Sequence, residues 1–336
     1  MEARSLTLGA EENPWRRLKD AADRHPAAAA LIVLAAVVVV MIGAKGLHAV
    51  AQSSLNGLST GAIYALGAIG LTLVYGILKL VNFAHGDFLT FGAYMAYLVN
   101  VTWGMPLALG ILFAMLTTAI MAIAFETVLW RPMRSRGAGL LQLLLTSIGL
   151  ALVIRSVIQY FWSTDIRVLD VNSVATVSFL GLRIGRTQLI VIAIGFVVLI
   201  GVGLMLRNTL LGKRMRALSD NLDLAETAGI DTGRVILYTW LLAGALAGLA
   251  GVLDGAVTSL SPNFGFDLLL PIFAAVIVGG IGDAYGALAG GMLLGLITEW
   301  STLFIDAKWK IAVGFAALIV ALIVRPQGIF GRARTI

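Results

Sequence analysis

The chain has no cysteine, only three histidines and few charges, which make up 12% of its 336 residues. Without cysteine there are no disulfides, no thiolate metal sites and no cysteine nucleophile. Three scattered histidines, with no H-E-x-x-H, are too few to build a zinc centre. The phosphate-cradling pattern G-x-x-x-x-G-K-[ST] is missing too. The sole Gly-Lys pair, Gly212-Lys213, follows "NTLL" and precedes Arg214. "GGIGDAYG" at 279–286 fails the G-x-G-x-x-G spacing and reads instead as a tight turn with Asp283 capping the next helix. No metal or cofactor is therefore expected. The formal charge of +6 is spread in short basic patches, not on a basic face interleaved with aromatics, which speaks against nucleic acid as a partner.

Apolar residues dominate, at 59% of the chain with a mean hydropathy of +0.95. Soluble domains sit near half apolar and about a quarter charged, so this composition describes an integral membrane protein. A span needs roughly 17–25 mostly apolar residues. Candidates fall at 27–44, 52–78, 87–101, 106–129, 140–162, 188–206, 236–258, 268–282, 284–304 and 311–324. The stretches 87–101 and 268–282 are short enough to be broken or re-entrant. The expected fold is all-α and polytopic, with about 9–10 transmembrane helices. With the N-terminus inside, basic residues on inner connections outnumber those on outer ones almost threefold, which places both termini in the cytoplasm. The first apolar segment, "PAAAALIVLAAVVVVMIGAKGLHAVAQ", has two readings. It follows Arg24 and contains Ala49-Val50-Ala51, a signal-peptidase-like pattern, but the tail before it carries five acidic residues. Residues 1–51 are thus a tail plus an extra helix, either a retained anchor or a cleaved signal.

Several residues stand out against the apolar background. "VNFAHGDF" sets Asn82, His85, Gly86 and Asp87 between long apolar runs, as ligands, a proton relay or a wet turn. Asn56, Thr60 and Tyr64 recur every four residues and form one stripe of a helix, beside a stripe of Gly57 and Gly61. Such a polar stripe either lines a solute path or makes ordinary interhelical hydrogen bonds. Charges inside spans are costly and default to functional hypotheses. Glu126 is within reach of Arg131 or Arg134, Arg155 is the deepest and calls for a partner on a neighbouring helix, and Asp254 and Glu299 lie near wet outer ends. Glycines spaced as GxxxG (Gly244/Gly248, Gly251/Gly255, Gly286/Gly290, Gly291/Gly295) suit close helix packing within one subunit. The longest inner loop, about 207–235, carries a short amphipathic helix with Ala217, Leu218, Leu222 and Ala225 at helical spacing. Gly229 is its C-cap, and Asp231 restarts the chain. Its acidic Asp220, Asp223 and Glu226 make a lipid surface a poor host, so a protein partner is favoured.

Four stretches carry a resemblance: "NGLSTGAIYALGAIGLTLVYG", "VNFAHGDF", "RALSDNLDLAETAGIDTGRV" and "GGIGDAYGALAGGMLLG". "FETVLWRPMR" and "RPQGIFG" add to it. Together the chain resembles a permease subunit of a branched-chain amino acid ABC transporter of the LIV type, with the permease domain over 52–331. The resemblance implies a second homologous permease, two cytoplasmic ATPases and an extracytoplasmic binding protein, in the plasma membrane of a bacterium or archaeon. It implies that Leu222, Ala225, Glu226, Ala228, Gly229 and Asp231 form the segment that docks into an ATPase. Arg155 departs from it, since an uncharged polar residue such as Gln is implied there. The topology then puts Val81–Asp87 at the cytoplasmic mouth as a helix-breaking corner and inner gate. There Asn82 starts the turn, Gly86 supplies the break and Asp87 caps the helix of 88–101. "SPNFGFDLLL" is a faint inverted echo of it, with Asn263, Phe264 and Asp267. Urea or a short amide is the alternative cargo. A stand-alone channel or facilitator is a further alternative, opposed by the coupling-like loop. An intramembrane enzyme using Ser147 and His85 finds no support in their setting.

Overall fold

The computed structural model describes residues 26–171, 175–179, 181–324 and 328. The tail before Pro26 and, apart from Gly328, the terminal "RPQGIFG" lie outside the described residues. All ten apolar stretches are helical, as lipid demands of a backbone whose every N–H must be satisfied internally. In chain order come α1 (Pro26–Lys45), α2 (Leu47–Leu78), α3 (His85–Tyr97, extended by a π segment Leu98–Thr102) and α4 (Leu107–Phe125). A second π segment, Glu126–Trp130, joins α4 to α5 (Arg131–Ser135), and α6 is Leu140–Trp162. Pro132 explains that π segment: it lacks an N–H and its ring crowds the carbonyl four residues back. Next are α7 (Arg186–Asn208), α8 (Leu210–Asp220), α9 (Leu222–Thr227) and α10 (Thr232–Gly255). The chain closes with α11 (Phe264–Gly279), α12 (Ala284–Ser301) and α13 (Lys310–Val324). Leu47–Leu78, Leu107–Ser135, Leu140–Trp162, Arg186–Asn208 and Thr232–Gly255 are long and apolar enough to cross a membrane unaided.

The connection before α7 departs from the all-helical expectation. A two-stranded antiparallel hairpin, β1 (Thr176–Phe179) and β2 (Leu182–Gly185), sets Thr176 opposite Gly185. Four-residue strands are too short to leave a hydropathy signal, so the sequence did not announce them.

Helix α2 is the central post. Its glycine stripe meets α12 nearly backbone to backbone: a Cβ on Gly57 would lie 2.9 Å from Leu296 Cα, and one on Gly61 3.0 Å from Met292 Cα. Gly244 and Gly248 seat α10 on Ala114, Thr118 and Ala119 of α4, while Gly290 seats α12 on α11. The GxxxG pairs therefore serve packing within the subunit, as expected where lipid supplies no hydrophobic drive between helices. Around this core, α4, α6 and α7 turn exposed apolar faces outward, among them Leu116, Leu145, Leu152 and Val197. Helix α1 meets α2 at an elbow whose single residue, Gly46, has φ +84°. There Met41 packs with Val50 and Trp300.

Candidate functional site

The "VNFAHGDF" stretch does not sit at a mouth. The chain leaves α2 at Lys79 and doubles back, so that His85 Nε2 lies 2.9 Å from the Gly67 carbonyl oxygen. Gly67 is three turns before the end of α2, about 16 Å along its axis at 1.5 Å per residue. Asn82, His85 and Asp87 are all buried at that depth. Ser147 of α6 tethers the returning segment: its hydroxyl accepts from Phe83 N at 3.1 Å and donates to the Val81 carbonyl oxygen at 3.3 Å. Asn82 does start the turn, its Oδ1 accepting from Ala84 N at 3.1 Å. Asp87 is not the cap. Helix α3 begins at His85, and Asp87 turns sideways to Arg155 of α6, whose Nε and Nη2 donate to it at 3.1 and 3.3 Å. Nor does Gly86 break the helix. It lies within α3, where its backbone meets that of Gly265 in the first turn of α11.

The inverted echo is thereby a spatial pair. α3 and α11 start beside one another inside the bundle and run to opposite ends, joined by Gly265 N donating to Thr90 Oγ1 at 2.9 Å. The Arg155 guanidinium spans the crossing, ion-paired with Asp87 and 4.8 Å from the centre of the Phe266 ring. This is the partner on a neighbouring helix that its depth demanded.

The polar stripe of α2 forms a second cluster. Asn56 Oδ1 accepts from Gln188 Nε2 of α7 at 3.3 Å. Thr60 donates to Glu299 Oε1 at 3.0 Å, and Lys310 Nζ donates to the same oxygen at 2.7 Å. Tyr64, one turn beyond Thr60 on the same stripe, is half-buried. Glu299 is thus a buried, paired carboxylate, not a wet one, because the turn after α12 brings Lys310 back onto it. Asp254 is half-buried and accepts from Thr258 Oγ1 at 3.2 Å. Glu126 has the expected structural pairing, bidentate with Arg134.

The loop helices lie at the other end. Ser219 of α8 donates to the Gly76 carbonyl oxygen at 3.1 Å, fastening the loop to the end of α2. Asn221 caps α9 by accepting from Leu224 N at 2.9 Å, and Asp231 caps α10 by accepting from Arg234 N at 3.0 Å. Gly229 has φ +82°, and Ile230 N donates to the Ala225 carbonyl oxygen at 3.1 Å, closing a Schellman turn. A Cβ at Gly229 would meet nothing within 4 Å, so only its dihedral constrains it. Gly229→Asn should therefore fold near wild type while Gly229→Val loses roughly 1–2 kcal/mol, the cost of an L-residue in that region; thermal unfolding of the purified protein measures the difference. The docking face needs correction. Ala225, at 4% exposure, turns into its own subunit and Leu222 is half-buried, whereas Leu224 is 67% exposed beside exposed Glu226, Ala228 and Gly229. A six-residue helix offers too few repeats for the sequence to tell its two faces apart.

Comparison with known proteins agrees with this architecture. The family described as "Branched-chain amino acid transport system / permease component" matches residues 53–322. The high-affinity branched-chain amino acid transport system permease protein BraD of Pseudomonas aeruginosa is 32% identical, covering 84% of this chain and 95% of its own. Its counterpart LivH of Escherichia coli is 30% identical over 84% of this chain and 95% of its own. The probable branched-chain amino acid transport permease protein LivH of Methanocaldococcus jannaschii is 29% identical over 80% of this chain and 89% of its own. This chain, a multi-pass membrane protein and not itself catalytic, belongs to the family of branched-chain amino acid transport permease components.

Proposed function

We propose that this chain carries branched-chain amino acids across the plasma membrane as one permease of an ATP-driven importer. Its partners are a second homologous permease, two cytoplasmic ATPases and an extracytoplasmic binding protein. The observation that carries this reading is the exposed, doubly capped helix α9, presented on a loop fastened to the central helix α2. An apolar Leu224 on an otherwise acidic, solvent-facing turn suits a protein cleft better than water. The surface formed by Leu224, Glu226, Ala228 and Gly229 docks on the ATPase, with Leu222, Ala225 and Asp231 holding its shape. Both termini face the cytoplasm, and the permease domain extends over 52–331. Asn56, Thr60 and Tyr64 belong to the solute path. Asn82, His85, Gly86 and Asp87 form its inner structural corner, where two interrupted helices meet as in other transporters.

Leu224→Glu should lower ATPase co-purification roughly tenfold or more, by placing a charge in a desolvated contact, while the permease still inserts and folds. Wild-type association would place the contact elsewhere. Cargo is tested by radiolabelled leucine uptake into vesicles holding the full complex. Valine and isoleucine should compete and urea should not; competition by urea or acetamide alone would move the assignment to amides.

A further inference from the structure

Near its start, α11 carries a carboxylate where lipid cannot host one. Gly265 lies against Gly86, the neighbour of His85, so α11 begins at the level of Gly67 on α2. From Asp267 to the inner end of α11 at Gly279 the helix climbs about 18 Å at 1.5 Å per residue. In a hydrocarbon core about 30 Å thick, that is near the middle. Yet Asn263, Phe266 and Asp267 are all exposed on the isolated subunit. Among the described residues the Asp267 carboxylate makes no hydrogen bond and no salt bridge. The neighbouring cation, Arg155, is paired with Asp87 and lies 4.8 Å from the centre of the Phe266 ring. Two carboxylates and one guanidinium leave this patch with one uncompensated negative charge. A charge at such depth belongs beside a water-filled path, not against acyl chains.

We propose that Asp267 recognises the ammonium group of the cargo halfway through its passage. The inference rests on the function proposed above and adds a station at mid-depth, on the face shared by α6 and α11. The Phe266 ring, 40% exposed, gives the aliphatic side chain of the cargo an apolar surface. Arg155 supplies the opposite pole. Only its Nε and Nη2 donate to Asp87, which leaves Nη1 for a carboxylate, and its side chain keeps 16% exposure. A free carboxylate, an aromatic ring and a part-exposed guanidinium thus stand together. That set matches a zwitterionic α-amino acid with an aliphatic side chain. Urea and short amides carry no charge and have no use for either pole.

The test uses the complete complex in vesicles, with saturating binding protein and radiolabelled leucine. Asp267→Asn should lower uptake roughly tenfold or more, the scale of a hydrogen bond to a charged group. Co-purification of the partner permease and ATPases should stay unchanged, and Asp267→Glu should keep much of the rate. The natural absence of cysteine allows a second reading. Asn263→Cys should react with a membrane-impermeant cationic methanethiosulfonate roughly tenfold faster than with an anionic one, as a negative site attracts cations. Leu116→Cys, on the apolar outer face of α4, should react with neither. Should Asp267→Asn fail to assemble, Asn263→Cys decides alone. Wild-type uptake in assembled Asp267→Asn, or no reaction at Asn263→Cys, would overturn the assignment and leave the importer reading standing. A wild-type complex that imports no branched-chain amino acid would overturn both.

Discussion

Gly86→Val should abolish stable assembly of the protein. A Cβ at Gly86 would lie 3.0 Å from the Gly265 carbonyl carbon and from Leu269 Cβ, and closer still to the Gly265 carbonyl oxygen. The reverse contact is equally tight, with a Cβ at Gly265 2.8 Å from the Gly86 carbonyl carbon. The Gly265 and Gly86 atoms are backbone, which cannot swing aside as a flexible side chain would. Overpacking of a filled core costs about 1–3 kcal/mol per insertion even where relaxation is available, so Gly86→Ala should already weaken the protein and valine should exceed that range. Gly149 on α6 is the control: a Cβ there meets nothing within 4 Å, and Gly149→Val should assemble normally. Size-exclusion profiles and thermal unfolding in detergent read both variants. A wild-type profile for Gly86→Val would mean that α3 and α11 do not touch.

Arg155→Gln should be nearly as severe, and rescued by a second change. The Asp87 side chain is 0% exposed and that of Arg155 16%, so removing the arginine strands a carboxylate inside the bundle. Breaking a buried pair from one side costs about 3–5 kcal/mol, whereas replacing both members is often near neutral. Arg155→Gln with Asp87→Asn should therefore recover most of the lost thermal stability. Asp87→Asn alone should cost less than Arg155→Gln, since the guanidinium keeps the Phe266 ring and some access to solvent. Strict additivity of the two single changes would show that the pair contributes no coupling.

Much of this was legible from the chain. Hydropathy placed the ten apolar helices, because a segment in lipid must be long and apolar whatever it packs against. The cap at Asp283 and the C-cap at Gly229 followed from local chemistry that needs no tertiary context, whereas Asp231, read only as the point where the chain restarts, proves to cap α10. What failed depends on the third dimension. Nothing in "VNFAHGDF" says that His85 returns to the level of Gly67, since that depth is set by partners 18 residues upstream and by Ser147, 64 residues downstream of Phe83. The glycine of the corner was given a conformational role when its real constraint is a neighbouring backbone. Glu299 was taken as wet because Lys310 reaches it only after a turn. Arg155 was read correctly as needing a partner, because an unpaired charge at that depth is too costly to leave standing.

The central claim is that transport here is driven by partner ATPases through the α9 surface. The most direct measurement is leucine uptake into vesicles holding the full complex and binding protein, with ATP or a non-hydrolysable analogue enclosed on the ATPase side. Concentrative uptake with ATP, none with the analogue, and none with ATP in the Leu224→Glu complex is the predicted result. Uptake that equilibrates without ATP, and is unchanged by Leu224→Glu, would make the chain a facilitator and contradict the account.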